Sequence, residues 1–154
     1  MVEDCLPLKI CRIVTVPISF QTLYHEQIYH LSTQGLEMTL ISSPGKVLEE
    51  FNRELHLKYY PININRNPSP LRDLLSLFHL ARVFLTNRFV IVHSSTPKAG
   101  LLCAIAGAIA RVPIRIHTYT GQAWIGMQGF AAKIIKRCDW IIGKLNTRCY
   151  ADSK

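Results

Sequence analysis

The sequence predicts an α/β fold: a Rossmann-like doubly wound parallel sheet with helices on both faces. Three observations point there. Runs rich in β-branched residues recur along the chain, separated by helical segments of about 10–15 residues, the spacing of right-handed βαβ units. Residues 99–110 form an apolar run of twelve, too short for the about 20 residues that cross a bilayer, so the run reads as a core helix. A chain of 154 residues with 49% hydrophobic content has enough apolar material for one conventional core.

In order, residues 9–16, rich in Ile and Val, read as the first strand and 17–20 as the turn after it. Residues 21–34 follow as a helix with Leu23, Ile28 and Leu31 among its apolar positions, and Gly35 stands where a left-handed C-terminal cap is expected. Residues 37–41 are the second strand, 42–45 a turn, 46–55 a short helix, and 57–62 an extended segment that Pro61 marks as an edge or an ending. A polar loop over 63–70 leads to a helix over 71–86, whose apolar residues repeat at Leu71, Leu74, Leu75 and Phe78. Val90 to Val92 is the next strand. Pro97 opens a helix running to about Arg111, where its missing N–H is not needed, and Pro113 closes it. Residues 114–119 return to an extended pattern, a basic helix around Ile134 and Trp140 follows, and 147–154 begin another strand or a linker.

In open α/β sheets ligands bind beyond the carboxyl ends of the strands, here 93–98 and 118–124. The turn after the first strand has Pro17-Ile18-Ser19-Phe20 where a dinucleotide-binding protein has its glycine-rich turn, and no P-loop or Gly-x-Ser-x-Gly elbow is present. Ser19, His93, Thr96, Lys98, Thr118, Thr120 and Gly121 are the candidate substrate-binding residues. Ser94, Ser95, Thr96 and Lys98 enter a helix N-terminus that favours an anion, although Ser95 or Thr96 also suits a plain cap and Lys98 a solvated position. His93 and His117 stand at or near strand ends, where an imidazole serves as a base or as a satisfied structural group. Thr118, Thr120, Gly121, Gln122 and Trp124 suit a sugar ring, with Trp124 either its platform or a core anchor.

Five cysteines without a Cys-x-x-Cys pair give neither a disulfide framework nor a zinc site, so no metal or cofactor is expected and a reducing cytoplasm is the simplest setting. Glu3 and Asp4 precede the first apolar segment, the reverse of a signal peptide's basic start. The net charge of +8 favours an anionic partner: a phosphorylated substrate, an acidic membrane surface or nucleic acid, the last supported by charge alone and not taken as a partner. Lys133, Lys136, Arg137 and Lys144 share the basic helix with Ile134, Ile135, Trp140 and Ile141, which is either a solvated face or a surface resting on anionic headgroups.

Four segments carry a family resemblance: Ile13-Val14-Thr15-Val16-Pro17, residues 35–45 ending in Ser42-Ser43-Pro44-Gly45, Val92-His93-Ser94-Ser95-Thr96-Pro97-Lys98-Ala99-Gly100, and Val112-Pro113-Ile114-Arg115-Ile116-His117-Thr118-Tyr119-Thr120-Gly121-Gln122. In this order and spacing they resemble the N-terminal half of a retaining, family-four glycosyltransferase of the GT-B class, most like the bacterial enzymes of O-antigen, capsule or exopolysaccharide synthesis. The resemblance implies that residues 1–154 are the acceptor-side Rossmann-like domain of a two-domain enzyme. Its partners would be a lipid-linked glycan acceptor and, through a C-terminal domain that is absent, a nucleotide sugar. The cytoplasmic face of the membrane is the implied location. Relatives hold the donor with a Glu-x7-Glu motif in that other half, and many have His-Gly where this chain has Thr120-Gly121 and a second histidine where it has Ser95. Without its other half the chain is expected to lack efficient catalysis. The alternative is a non-catalytic binding module or a truncated remnant.

Overall fold

Six parallel strands form one sheet in the order β3-β2-β1-β4-β5-β6 in the computed structural model, which describes residues 7–122 and 124–152. Glu3, Asp4, Cys5 and Lys154 lie outside the described residues. The strands are β1 (Lys9–Ile13), β2 (Glu37–Ser42), β3 (Lys58–Pro61), β4 (Ile91–Ser94), β5 (Ile114–Tyr119) and β6 (Arg148–Ala151). The helices are α1 (Ile18–Leu23), α2 (His25–Thr33), α3 (Lys46–Leu55), α4 (Pro70–Asn87), α5 (Pro97–Ile109) and α6 (Gly129–Leu145). This is the doubly wound arrangement expected from the alternation of elements, with the switch point between β1 and β4.

The pleat sorts the side chains of β1 between two cores. Ile10 and Val14 point to one face and pack with Phe20 of α1, Ile28 of α2, and Leu48 and Phe51 of α3. Cys11 and Ile13 point to the other and pack with Leu80 and Phe84 of α4 and Leu102, Cys103 and Ala106 of α5. The first three helices thus cover β1 to β3 on one face, and the last three run along the opposite face. On the first face the half of the sheet formed by β4 to β6 carries no helix among the described residues; Ile114 and Tyr150 are exposed there and Ile116, His93 and Thr118 are partly so.

Several local boundaries differ from the sequence expectation. β1 ends at Ile13, not Val16, and the expected turn at 17–20 is already helical from Ile18. The single helix over 21–34 is two, broken at Tyr24, where φ −124° and ψ 4° leave the helical range. The strand placed at 90–92 runs from Ile91 to Ser94, so His93 and Ser94 belong to the strand and do not follow it. α5 stops at Ile109, short of Arg111, which takes a left-handed φ of 52°. The end of the chain does resume an extended course, as β6. Gly35 has φ +78° just beyond α2, the backbone its position calls for.

Candidate functional site

The carboxyl ends of β1, β4 and β5 meet at a rim stitched by hydroxyl groups. The Thr15 amide, just past β1, donates to Thr96 Oγ1 at 3.1 Å, and the two threonine hydroxyls lie 2.5 Å apart. Thr96 is the N-cap residue of α5 by position, yet its side chain makes no cap bond; it is spent on tying α5 to β1 instead. The Thr120 hydroxyl donates to the Ser95 carbonyl at 3.1 Å, which draws the loop after β5 to the same point. Ser95 itself is buried, and its Oγ has no hydrogen-bond partner. Ser19 sits in the first turn of α1, beyond the end of β1, and Gly121 is exposed after Thr120.

Two histidines occupy opposite faces of the sheet. His93 Nε2 and Thr118 Oγ1 are 2.8 Å apart on the face left bare over β4 and β5. His117 is turned the other way, 1% exposed, with Nδ1 2.9 Å from the Ser94 hydroxyl and its ring edge-on to Tyr119. Burial, then the positive charge of Arg12 and the neighbouring His117, lowers the pKa of His93 to about 3. Burial followed by Arg12 lowers that of His117 to about 4. Both imidazoles are therefore neutral at pH 7: His93 spends Nε2 on Thr118 and keeps Nδ1, and His117 is a packing group.

Lys98 is turned away from its rim neighbours. Its side chain is 15% exposed, and Nζ pairs with Asp73 Oδ1 of α4 at 2.7 Å and donates to the Asn67 carbonyl. It therefore clamps the 63–69 loop and the start of α4 to α5. Replacing Asp73 by Asn should lower stability by about 1–2 kcal/mol in urea unfolding, because a half-buried ammonium loses its counter-ion. Trp124 is half-buried, with Nε1 donating to Asp139 Oδ2 at 2.9 Å and Lys136 Nζ lying 4.4 Å from its ring centroid. One ring face is thus taken by a cation.

Sequence reasoning overlooked Arg12. It lies inside β1, paired in register with Leu40 on one side and His93 on the other, and only the interruption of an apolar run by a single arginine marks it. Arg115, which the sequence shows only as one residue of the segment from Val112 to Gln122, donates from Nε and Nη1 to the carbonyls of Leu145 and Val112, fastening the end of α6 to the base of β5.

The doubly wound six-stranded parallel sheet defines a Rossmann-like domain of the kind that makes up one half of a GT-B enzyme. Residues 21–151 match the glycosyl transferase 4-like domain, and the chain belongs to that family. It is 32% identical over 144 residues to the capsular polysaccharide biosynthesis glycosyltransferase CapM of Staphylococcus aureus, matching 94% of this chain and 36% of CapM. It is 24% identical to the UDP-Gal:alpha-D-GlcNAc-diphosphoundecaprenol alpha-1,3-galactosyltransferase of Escherichia coli, across 92% of this chain and 37% of that enzyme. The chain thus spans little more than a third of the length of these relatives. Among solved structures, MurG of Acinetobacter baumannii superposes with a TM-score of 0.69 over 96% of this chain and 42% of that one, at 12% identity, a likeness of fold alone.

Proposed function

We propose that this chain is the N-terminal, acceptor-side domain of a nucleotide-sugar-dependent glycosyltransferase of cell-surface polysaccharide synthesis. On this reading the acceptor is a lipid-linked diphosphate glycan, met at the cytoplasmic face of the membrane, and a second domain brings the nucleotide sugar. The observation that carries it is the rim between β1, β4 and β5, where neutral His93, Thr118, Thr120 and the exposed backbone at Gly121 present sugar-compatible donors and acceptors. The name of the E. coli relative, which acts on a diphosphoundecaprenol-linked sugar, supports the acceptor class.

The outer surface supports the membrane location. No helix among the described residues is long and apolar enough to cross a bilayer. α4 nevertheless turns Leu71, Leu74, Leu75, Phe78 and Leu85 outward, a second apolar stripe opposite the one it buries. Phe130 and Trp140 of α6 are exposed beside Lys133, Lys136 and Arg137. Apolar side chains flanked by cations suit an anionic bilayer surface.

The test is photo-crosslinking of this chain to a diphosphate-linked glycolipid presented in vesicles. Labelling is expected to be stronger in anionic than in neutral vesicles and to fall about tenfold in a His93→Ala, Thr118→Val double variant, the loss of a hydrogen-bonded pair worth about 1.4 kcal/mol. Transfer from UDP-sugars by the chain alone should stay far below the about 10 per second typical of enzymes. Absence of labelling would favour the non-catalytic remnant, and turnover at ordinary rates would refute the division of labour between two halves.

A further inference from the structure

Arg12 is a buried cation without an anion. It is 3% exposed; burial lowers its pKa to about 10 against the opposing pull of the neighbouring Tyr24 phenol, so it remains protonated at neutral pH. Its Cζ lies 4.1 Å from the ring centroid of Tyr24, the residue at the break between α1 and α2. Nε and Nη1 are both buried with no hydrogen-bond partner, and no ion pair among the described residues includes it. The same fold shows how an arginine is accommodated when its role is structural: both corresponding nitrogens of Arg115 reach backbone carbonyls at 2.6 Å. A buried charge left unpaired is expensive, and its unmet donors call for a partner.

The surroundings indicate what completes it and from where. Arg12 stands at the border between the half of the sheet covered by α1 to α3 and the bare half over β4 and β5. Its register neighbour on the bare side is His93, whose Nε2 meets Thr118. Histidine, threonine and arginine therefore run diagonally from the middle of the sheet to the carboxyl rim. A planar guanidinium matches the oxygens of phosphate better than any other common group, and neutral His93 adds no competing charge.

We propose that Arg12, on the His93 side of β1, is the binding group for a phosphate oxyanion. Resting on the function proposed above, the ligand is the diphosphate of the lipid-linked acceptor, and the sugar lies toward Thr118 and Thr120. Arg12 then supplies the charge that Lys98, paired with Asp73, does not bring to the rim.

The probe is inorganic pyrophosphate, titrated into the whole chain by calorimetry, with orthophosphate as the second arm. Pyrophosphate is expected to bind wild type and to bind Arg12→Met at least about tenfold more weakly, the loss of one charge-assisted contact. Free Arg12→Met should be at least as stable as wild type, since an unpaired buried charge has been replaced by an apolar chain; a purely structural arginine would give the opposite. In case that variant folds poorly, the Arg12 Nε–H resonance of wild type provides an independent reading, and it should move along the same binding curve. Equal binding by both proteins, or none by either, would overturn the site. Orthophosphate held as tightly as pyrophosphate would overturn its assignment to a diphosphate. These outcomes are separate from the crosslinking result, which can succeed while pyrophosphate fails to bind.

Discussion

Gly100→Ala is expected to lower the folding free energy by about 2–3 kcal/mol, since a Cβ there meets a tighter contact than at any other described glycine. A Cβ at Gly100 would stand 2.4 Å from His117 Cε1 and 2.7 Å from Nδ1. The ring has little room to retreat: the Ser94 hydroxyl holds Nδ1 at 2.9 Å, and the Tyr119 ring closes the other side at 4.5 Å between centroids. Making space therefore breaks a buried hydrogen bond or lifts α5 off the sheet. Gly143→Ala is the control, because nothing lies within 4 Å of its added Cβ and the position is exposed in α6. That change should stabilise by about 0.5–1 kcal/mol through helix propensity. Urea unfolding of the two variants beside wild type measures both; a Gly100→Ala midpoint equal to that of wild type would show that α5 and β5 are looser than their packing indicates.

Stability should fall steeply in mild acid, before most carboxylates titrate. Burial lowers the folded-state pKa of His93 to about 3 and that of His117 to about 4, from the 6.5 of an ordinary imidazole. The unfolded chain therefore takes up protons below pH 6.5 while the native state does not, and the equilibrium shifts toward unfolding. The stabilisation from their neutral forms is complete above pH 6.5 and is lost progressively as pH falls toward 4 and then 3. At about 1.4 kcal/mol per unit of difference, the two together remove on the order of 6 kcal/mol by pH 4. Urea unfolding at pH 7, 5.5 and 4.5 should show the decline, and His117→Asn, which cannot titrate, should flatten it. A wild-type stability constant across that range would mean that the imidazoles titrate in the native state as they do in the unfolded chain.

Much of the fold is legible because backbone and burial agree locally. The fifth strand, Ile114–Tyr119, and the helix Lys46–Leu55 appear where β-branched content and the turn over residues 42–45 place them. The α5 helix, apolar nearly all round, lies against the sheet through Gly100 and Gly107, as its small residues suggest. The misplaced boundaries share one physical cause, the pull of tertiary contacts on weak local signals. Tyr24 leaves the helical range where its ring covers Arg12, and nothing in residues 21–34 announces that. β4 extends through His93 and Ser94 because both pair with β5, although polar residues looked like a strand's end. The rim was legible as a place and as a set of hydroxyls. Which way each side chain turns was not: Thr96 toward Thr15, Lys98 toward Asp73 and His117 into the core are choices made by partners 81, 25 and 23 residues away. Arg12 was hidden because alternation in a short central strand gives no sign of whether a charged residue in its interior finds a counter-ion.

The threonine pair at the rim also has a kinetic meaning. β1 to β3 are joined by neighbouring connections, as are β4 to β6, but the middle of the sheet pairs residues 10–13 with 91–94. Thr15 and Thr96, 81 residues apart, close that seam, and closing a loop of this length costs about 4 kcal/mol in chain entropy before any seam contact forms. Pairing across this seam is a high-contact-order step, so refolding is expected to be slow for so small a domain. The switch point, where the ligand is expected to bind, is also the contact that costs the chain most entropy to close.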